Sequence, residues 1–287
     1  MVDPNGKYRL FPKRDNVTSP NTRSLPVNLV RYRRKTGCAI ESNTTASKIV
    51  NNHFNINYLG LDLDQSRSYA INLTVIKELT MIDLYTWGTP NGRKVSIMLE
   101  ELDVEYSAHS VNIGKKEQYT DDFIRINPNS KIPAIVDHDV ETDAPITLFE
   151  SGAILIYLAE KYQRFLSKNG ESRYSTLQWL MFQMAGPGPI FGQVHHFLRA
   201  APEPVPYAIE RYRNETDRLY GVLDKHLSTN DYLASEYSIA DIATYPWIAR
   251  HEWHQVNLDN HPNVKRWYQM VGKRPAVEAG MTVPFLN

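Results

Sequence analysis

Residues 81–102 of the chain read MIDLYTWGTPNGRKVSIMLEEL, and this stretch decides the fold. Its first five residues form an apolar run typical of a short buried strand, and residues 94–102 space their apolar side chains along one face of a helix. Thr89-Pro90-Asn91 lies where that helix begins. A helix start offers free backbone N–H groups at the positive end of the helix dipole, here beside a hydroxyl and an amide. The pattern predicts a place where an anion such as a thiolate is stabilised.

The chain has no cysteine near this place. Cys38 is the single cysteine of the 287 residues, and it lies far upstream. One cysteine excludes a disulfide framework within the chain and is typical of a reducing compartment such as the cytoplasm. If sulfur chemistry takes place at Thr89, we therefore expect a ligand to bring the sulfur.

Composition and charge narrow the class of protein. At 33.0 kDa, with 42% hydrophobic residues and no formal net charge, the chain is long enough for one large domain or two ordinary ones. Residues 1–80 contain 12 basic and 6 acidic side chains, so the remainder is mildly acidic. That charge argues against nucleic-acid binding, and no apolar stretch approaches the length of a membrane span.

The first 80 residues differ in composition from the rest of the chain. They are rich in Asn, Ser and Thr, carry basic residues between Arg31 and Lys35, and show no sustained helical periodicity. This composition predicts a mostly disordered N-terminal extension, in which residues 69–79 form at most a short helix or strand. A solvated tail or a gene-boundary artefact is favoured over an organelle-targeting peptide, because no amphipathic helix is evident.

Residues 81–164 are predicted to form a thioredoxin-like domain. A second strand at 105–111 completes a βαβ unit with parallel strands. After a short helix at 121–126, two strands at 131–137 and 146–149 form an antiparallel hairpin, and a helix at 151–162 comes next.

Residues 171–287 are predicted to form an all-helical second domain, with helical patterns at 172–184, 207–227 and from 238 and 261 onward. Ser238 and Asp241 have the spacing of a helix cap. The run 186–196, GPGPIFGQVHH, predicts an interrupted or kinked helix that opens space for a second substrate. Its adjacent histidines face different directions and are poor metal ligands, so no metal is expected. Trp179 and Phe182 are expected to fill the core.

Two further pairs of residues have ligand-binding potential. Pro133 stands between a turn and an apolar strand, where either a cis peptide bond after Ile132 or an ordinary trans proline at a sheet edge fits. With a cis bond, the Ile132 backbone can pair with an extended peptide. Ser151 is expected to cap the helix that it begins, and a ligand carboxylate can complete that cap while Glu150 binds an ammonium group.

These segments together resemble a known family. The runs MIDLYTWGTPNGRKVSIMLEEL, NPNSKIPAIVDHD, LFESGAILIYLAEKY, YAIERY and SIADIATYPW are similar to those of the cytosolic glutathione transferases. The resemblance is strongest to their nu-class group of glutathione-dependent disulfide-bond oxidoreductases, which are similar to the fungal prion-type nitrogen regulator. It covers about residues 81–277 and not the N-terminal extension.

The resemblance implies a glutathione transferase fold, a cis bond before Pro133, a homodimer, and glutathione as cosubstrate, with one or two molecules per site. It assigns roles to particular positions. Thr89 and Asn91 lie by the sulfur, with Thr89 as a hydrogen-bond donor to the thiolate; the remaining polar groups of glutathione are held by Gln118, Lys131, Ile132, Glu150, Ser151 and Arg211. Lys131 is the weaker candidate for the glycine carboxylate. Tyr85 is expected to pack and not to serve the thiol.

Three functions are compatible with this resemblance. The leading one is reduction of a small disulfide by bound glutathione thiolates, because residues 81–287 contain no cysteine of their own. Glutathione conjugation to an electrophile, or reduction of an organic hydroperoxide, would use the same thiolate. A non-enzymatic glutathione-binding regulator or ligand carrier is the third.

Overall fold

A computed structural model describes residues 29–32, 82–142 and 144–284. The predictions for Cys38, for residues 69–79 and for most of the N-terminal extension lie outside the described residues.

One mixed sheet organises the N-terminal half of the described chain. Its strands are Leu29–Tyr32 (β1), Ile82–Thr86 (β2), Tyr106–Ser110 (β3), Ala134–Asp137 (β4) and Ile146–Phe149 (β5). They lie in the order β1-β3-β2-β4-β5, in which β2 and β3 are parallel and every other neighbouring pair is antiparallel. The predicted parallel unit and antiparallel hairpin are thus confirmed.

Strand β1 is a four-residue element that was not predicted, and it lies in the extension expected to be mostly disordered. It pairs with β3 from Leu29 opposite His109 to Tyr32 opposite Tyr106. Without β1, the outer edge of β3 would present unpaired backbone groups, which an added strand satisfies. The partner lies far away in sequence, so no local signal predicts this pairing.

The helices occupy both halves of the chain. They are Pro90–Leu102 (α1), Asp121–Ile126 (α2), Ser151–Tyr162 (α3), Gly170–Ala185 (α4), Pro187–His195 (α5), Pro206–Leu227 (α6), Ile239–Ile248 (α7), Pro262–Gly272 (α8) and Pro275–Gly280 (α9). Helix α1 connects β2 to β3, and every helix after α3 belongs to the predicted all-helical part.

The interruption predicted in GPGPIFGQVHH is present. Helix α4 ends at Ala185, Gly186 has φ −107° and ψ −87°, and α5 begins at Pro187. A π-helical turn, His196–Ala200, comes directly after α5. Trp179 and Phe182 pack against the core, as expected, with their ring centroids 5.2 Å apart.

The main core joins the sheet's helices to the helical half. Helix α1 lies at its centre, and Ile97, Met98 and Leu99 are fully buried there. On one side the Ser96 hydroxyl donates to the Gly280 carbonyl of α9 across 2.7 Å. A Cβ at Gly280 would lie 2.5 Å from the Cα of Ile97, so only glycine permits this approach. The helical half therefore fixes the position of α1.

Candidate active site

Thr89 caps helix α1. Its backbone is extended, and its Oγ1 accepts a hydrogen bond of 3.2 Å from the N–H of Gly92, while Pro90 takes the first helical position, where a missing N–H costs nothing. The hydroxyl hydrogen makes no hydrogen bond to another described residue. The cap therefore holds Thr89 in place and leaves one donor for a ligand.

The loop before Thr89 lies unusually close to the helix. A Cβ added to Gly92 would come within 2.4 Å of the Trp87 carbonyl oxygen and of the Thr86 hydroxyl. A side chain at this position would displace the loop that carries Thr89.

Asn91 is oriented from the helical half of the molecule. The indole N–H of Trp247, on α7, donates to Asn91 Oδ1 across 3.1 Å. An indole can only donate, so the oxygen of the amide must face Trp247 and the NH₂ group must face away. That NH₂ group makes no hydrogen bond to another described residue. Asn91 thus presents a second donor at the start of α1.

Ile132 and Lys131 lie where the chain enters β4. The Ile132-Pro133 peptide bond is cis, as the resemblance implies. Ile132 precedes the first ladder residue, Ala134, so its backbone groups lie outside the sheet's pairing. The Lys131 side chain is exposed, and its carbonyl accepts a hydrogen bond of 2.6 Å from the Asn127 amide.

Gln118 lies in the 3₁₀ turn Glu117–Tyr119. Its Oε1 is buried and has no hydrogen-bond partner among the described residues. A buried acceptor without a donor costs free energy, about 1–3 kcal/mol, unless a ligand or water satisfies it. Gln118 therefore has the free acceptor that a ligand amide would need.

Glu150 and Ser151 correct one expectation. Glu150, not Ser151, occupies the cap position of α3, with φ 69° and no side-chain cap hydrogen bond. Ser151 is the first helical residue and is 3% exposed. Its hydroxyl is free of the capping role because its partners are Lys94 and Met184, at 3.4 and 3.8 Å.

Lys94 is a residue that the sequence reasoning missed. It lies on α1, is 1% exposed, and its Nζ donates to Gln183 Oε1 across 2.7 Å as well as to Ser151. Burial lowers the pKa of Lys94 to about 7, and the charge of Glu150 opposes that shift. The sequence does carry a signal of this burial, because Lys94 lies one turn before Met98 on the apolar face of α1.

Arg211 does not join the others in this chain. It is exposed on α6, and its charge acts on Glu215 of the same helix. Within the described residues no hydrogen bond or ion pair links it to the other predicted positions, so its role stays a prediction.

Tyr85 packs, as expected. Its ring stacks on His109 with centroids 4.7 Å apart and also contacts Phe123. Burial raises the pKa of the Tyr85 phenol, so it stays protonated. In the described part of the chain no three His, Cys, Asp or Glu side chains cluster as metal ligands would. None of the helices described there is long and apolar enough to span a bilayer.

A mixed sheet with a cis-proline before β4, followed by an all-helical half, is the architecture of a thioredoxin-like domain joined to a helical domain. Family models agree, since the glutathione S-transferase N-terminal domain matches residues 81–160 and the C-terminal domain matches residues 191–275. The chain belongs to the glutathione S-transferase family.

Known relatives place it within that family. It is 51% identical over 198 residues to the disulfide-bond oxidoreductase YfcG of Escherichia coli, covering 68% of this chain and 92% of the relative. It is 42% identical to the disulfide-bond oxidoreductase YghU of the same organism over 221 residues, covering 72% and 76%.

Solved structures show the same similarity. A glutathione transferase from Pseudomonas putida, with one glutathione disulfide bound per subunit, is 44% identical with a TM-score of 0.70, covering 77% of this chain and 100% of that one. A family member from Pseudomonas fluorescens, with two glutathione molecules bound, is 46% identical with a TM-score of 0.67, covering 73% and 97%.

Proposed function

We propose that this protein is a glutathione-dependent disulfide reductase in which glutathione supplies every reacting sulfur. One observation carries the proposal: Thr89 and Asn91 each present an uncommitted donor at the positive end of α1. The chain has no cysteine between residues 81 and 287 that such donors could serve. The names of the two Escherichia coli relatives support disulfides as the substrate class.

Thr89 stabilises the glutathione thiolate and does not deprotonate it. A hydroxyl is too weak a base to remove the proton, but it can donate a hydrogen bond to the anion. This bond, the Asn91 amide and the α1 N-terminus lower the pKa of the thiol below its usual value of about 8.5. Only the thiolate attacks a disulfide.

The other predicted residues hold the peptide. Glu150 binds the γ-glutamyl ammonium, and the Ser151 hydroxyl binds the adjacent carboxylate with the Lys94 side chain behind it. The Ile132 backbone pairs with the cysteinyl amide, and the free Gln118 oxygen accepts from a ligand N–H. Lys131 and Arg211 supply cations for a glutathione carboxylate.

Reduction takes two glutathione molecules. The first thiolate attacks one sulfur of the disulfide, which breaks the S–S bond, releases one substrate thiol after protonation and leaves a mixed disulfide. The second thiolate attacks the glutathione sulfur of that mixed disulfide, which releases the second thiol and oxidised glutathione. Neighbouring structures that hold two glutathiones, or one glutathione disulfide, support a site that takes two glutathione molecules.

We further propose that the protein is a nu-class homodimer that acts in the cytoplasm, with domains at 81–164 and 171–287. The similarity to the disulfide-bond oxidoreductases supports the class, and the single cysteine fits a reducing compartment. Light scattering on the full chain tests the dimer, which a monomeric mass would contradict.

Steady-state assay of the full chain with glutathione tests the activity. Three acceptors are compared: 2-hydroxyethyl disulfide, 1-chloro-2,4-dinitrobenzene and an organic hydroperoxide. We expect the highest kcat/KM with the disulfide. Robust conjugation or peroxide reduction without disulfide turnover would reject the proposal, and binding of glutathione without turnover of any acceptor would favour a ligand carrier.

A further inference from the structure

Three guanidinium groups gather beside the start of α1. Arg199 and Arg250 lie over the ring of Trp253, with their Cζ atoms 4.4 and 4.0 Å from its centroid. Arg93 lies on α1, where burial lowers the pKa of its guanidinium and the charge of Arg250 lowers it further. We call Arg93, Arg199 and Arg250 the arginine cluster.

The cluster adjoins the proposed thiol position. Arg250 Nη2 donates across 3.4 Å to the carbonyl of Gly88, the residue before Thr89. Trp247, which holds Asn91, lies near Trp253 as well. The ring centroid of His195 is 6.1 Å from that of Trp247 and 5.3 Å from that of Trp253. Arg250 and Trp247 thus lie beside the loop and the helix start that carry the two donors.

The cluster's positive charge has no anionic partner in the described part of the chain. No carboxylate lies within 4.0 Å of any of the three guanidiniums there, although exposed arginines such as Arg218 do form ion pairs. The Nε atoms of Arg93 and Arg250 are buried without a hydrogen-bond partner among the described residues. Burial lowers the pKa of Arg250, and the charge of Arg199 lowers it further.

His195 does not add to this charge. Its pKa falls to about 4, mainly through burial and then through Arg250 and Arg199, so its ring is neutral at neutral pH. The excess charge near the donors therefore comes from the arginines. Like charges held together without a carboxylate partner repel one another, and a bound anion would relieve that repulsion.

We infer that the arginine cluster recognises the acceptor, and that it makes this protein selective for disulfides that carry carboxylates near the S–S bond. The inference rests on the proposed function, which places the glutathione thiolate at Thr89. An acidic disulfide and an approaching thiolate repel each other, and the guanidiniums offset this repulsion. The arginines are specificity residues, because the bonds made and broken in the exchange are those described above.

Three disulfides of similar length test the selectivity. They are 3,3′-dithiodipropionate with two carboxylates, 2-hydroxyethyl disulfide with none, and cystamine with two ammonium groups. Turnover is followed at saturating glutathione by coupling oxidised glutathione to its reductase. We expect kcat/KM to fall in that order, by about tenfold or more from first to last, and to converge as salt is raised.

Variants then assign the selectivity to the cluster. In Arg199→Met/Arg250→Met we expect the kcat/KM ratio of dithiodipropionate to 2-hydroxyethyl disulfide to fall about tenfold, because two positive charges that attract the carboxylates are lost. Arg213→Met, which removes an exposed arginine of α6, is the matched control and should leave the ratio unchanged. If circular dichroism shows that the double variant is unfolded, two other measurements test the inference. They are the selectivity of the single variant Arg199→Met, at an exposed position, and the salt dependence of wild-type kcat/KM.

Two outcomes would overturn the inference: equal kcat/KM for the three disulfides, or an equal loss in the Arg213→Met control. If no disulfide is turned over, the proposed function fails by itself. Calorimetric titration of dithiodipropionate then decides the inference separately. Binding that weakens in the Arg199→Met variant supports the cluster, and no binding rejects it.

Discussion

At the scale of the residue, the site depends on which side-chain atoms already make hydrogen bonds within the protein. The Thr89 oxygen caps α1 and the Asn91 oxygen holds Trp247, while the hydroxyl hydrogen of Thr89 and the NH₂ group of Asn91 make no hydrogen bond to another described residue. Donors stabilise a thiolate and cannot act as bases. The same residues therefore favour a role for Thr89 in stabilising an anion over a role in removing a proton.

Replacing Thr89 tests that role. In Thr89→Ala we expect kcat/KM for 2-hydroxyethyl disulfide to fall about threefold at neutral pH for each unit by which the bound thiol's pKa rises, because the loss of thiolate outweighs its gain in nucleophilicity. The pKa is read from the ultraviolet absorbance of the thiolate during a pH titration of the glutathione complex. Thr89→Ser, which keeps the hydroxyl, should stay close to wild type. An alanine variant with an unchanged thiol pKa would contradict the role.

Lys94 gives a prediction about stability. Its folded pKa of about 7 lies below the value of about 10.4 expected in the unfolded chain. Between these values the unfolded chain holds a proton that the folded protein has lost, so the free energy of unfolding rises with pH by up to about 1.4 kcal/mol per unit. Below pH 7 both states are charged and the full burial penalty remains.

Lys94→Met should remove this rise, because it removes the titrating group. Urea unfolding between about pH 6.5 and 9 measures it, with Lys115→Met on the exposed turn Ile113–Lys115 as the control. We expect the control to follow the wild type. A Lys94→Met variant whose stability rises with pH as steeply as the wild type would contradict the buried, deprotonating lysine.

At the scale of the element, local sequence signals were sufficient where the interaction is local. The bounds of α2, β5 and α3 match the predicted ones, because turn residues and apolar periodicity mark them directly. Long-range partners left no such signal. The pairing of β1 with β3 joins strands far apart in the chain, and so does the contact of Arg199 with Trp253, where Arg250 also lies.

Ser151 shows a different limit. A serine that starts a helix is usually its cap, so the expectation was sound on local grounds. In the structure Lys94 and Met184, from two other helices, surround its hydroxyl, and Glu150 takes the cap position at positive φ. Tertiary packing overrode the local preference.

The cap of α7 was predicted correctly and is open to measurement. Ser238 Oγ accepts from the Ala240 N–H across 3.3 Å, and Asp241 accepts from the Ser238 N–H across 3.1 Å. Ser238→Ala should lower the free energy of unfolding by about 1 kcal/mol. Ser228→Ala, at the exposed end of α6, should change it by less than about 0.5 kcal/mol. Equal losses in urea unfolding would argue against the cap.

At the scale of the whole molecule, the helical half positions the site on the sheet half. Trp247 of α7 orients Asn91, and the Gly280 carbonyl of α9 accepts a hydrogen bond from Ser96 of α1. A bidentate ion pair between Arg274 and Glu101 of α1 adds a third link, with N···O distances of 2.6 and 2.9 Å. The donors at the start of α1 are thus held by contacts from both halves.

The central claim is that glutathione, and no protein cysteine, supplies the reacting sulfurs. The most direct measurement is steady-state reduction of 2-hydroxyethyl disulfide by the cysteine-free variant Cys38→Ser, made in the full chain. We predict the same kcat and kcat/KM as the wild type, because Cys38 is the single cysteine of the sequence. A large loss of turnover in this variant would contradict the claim.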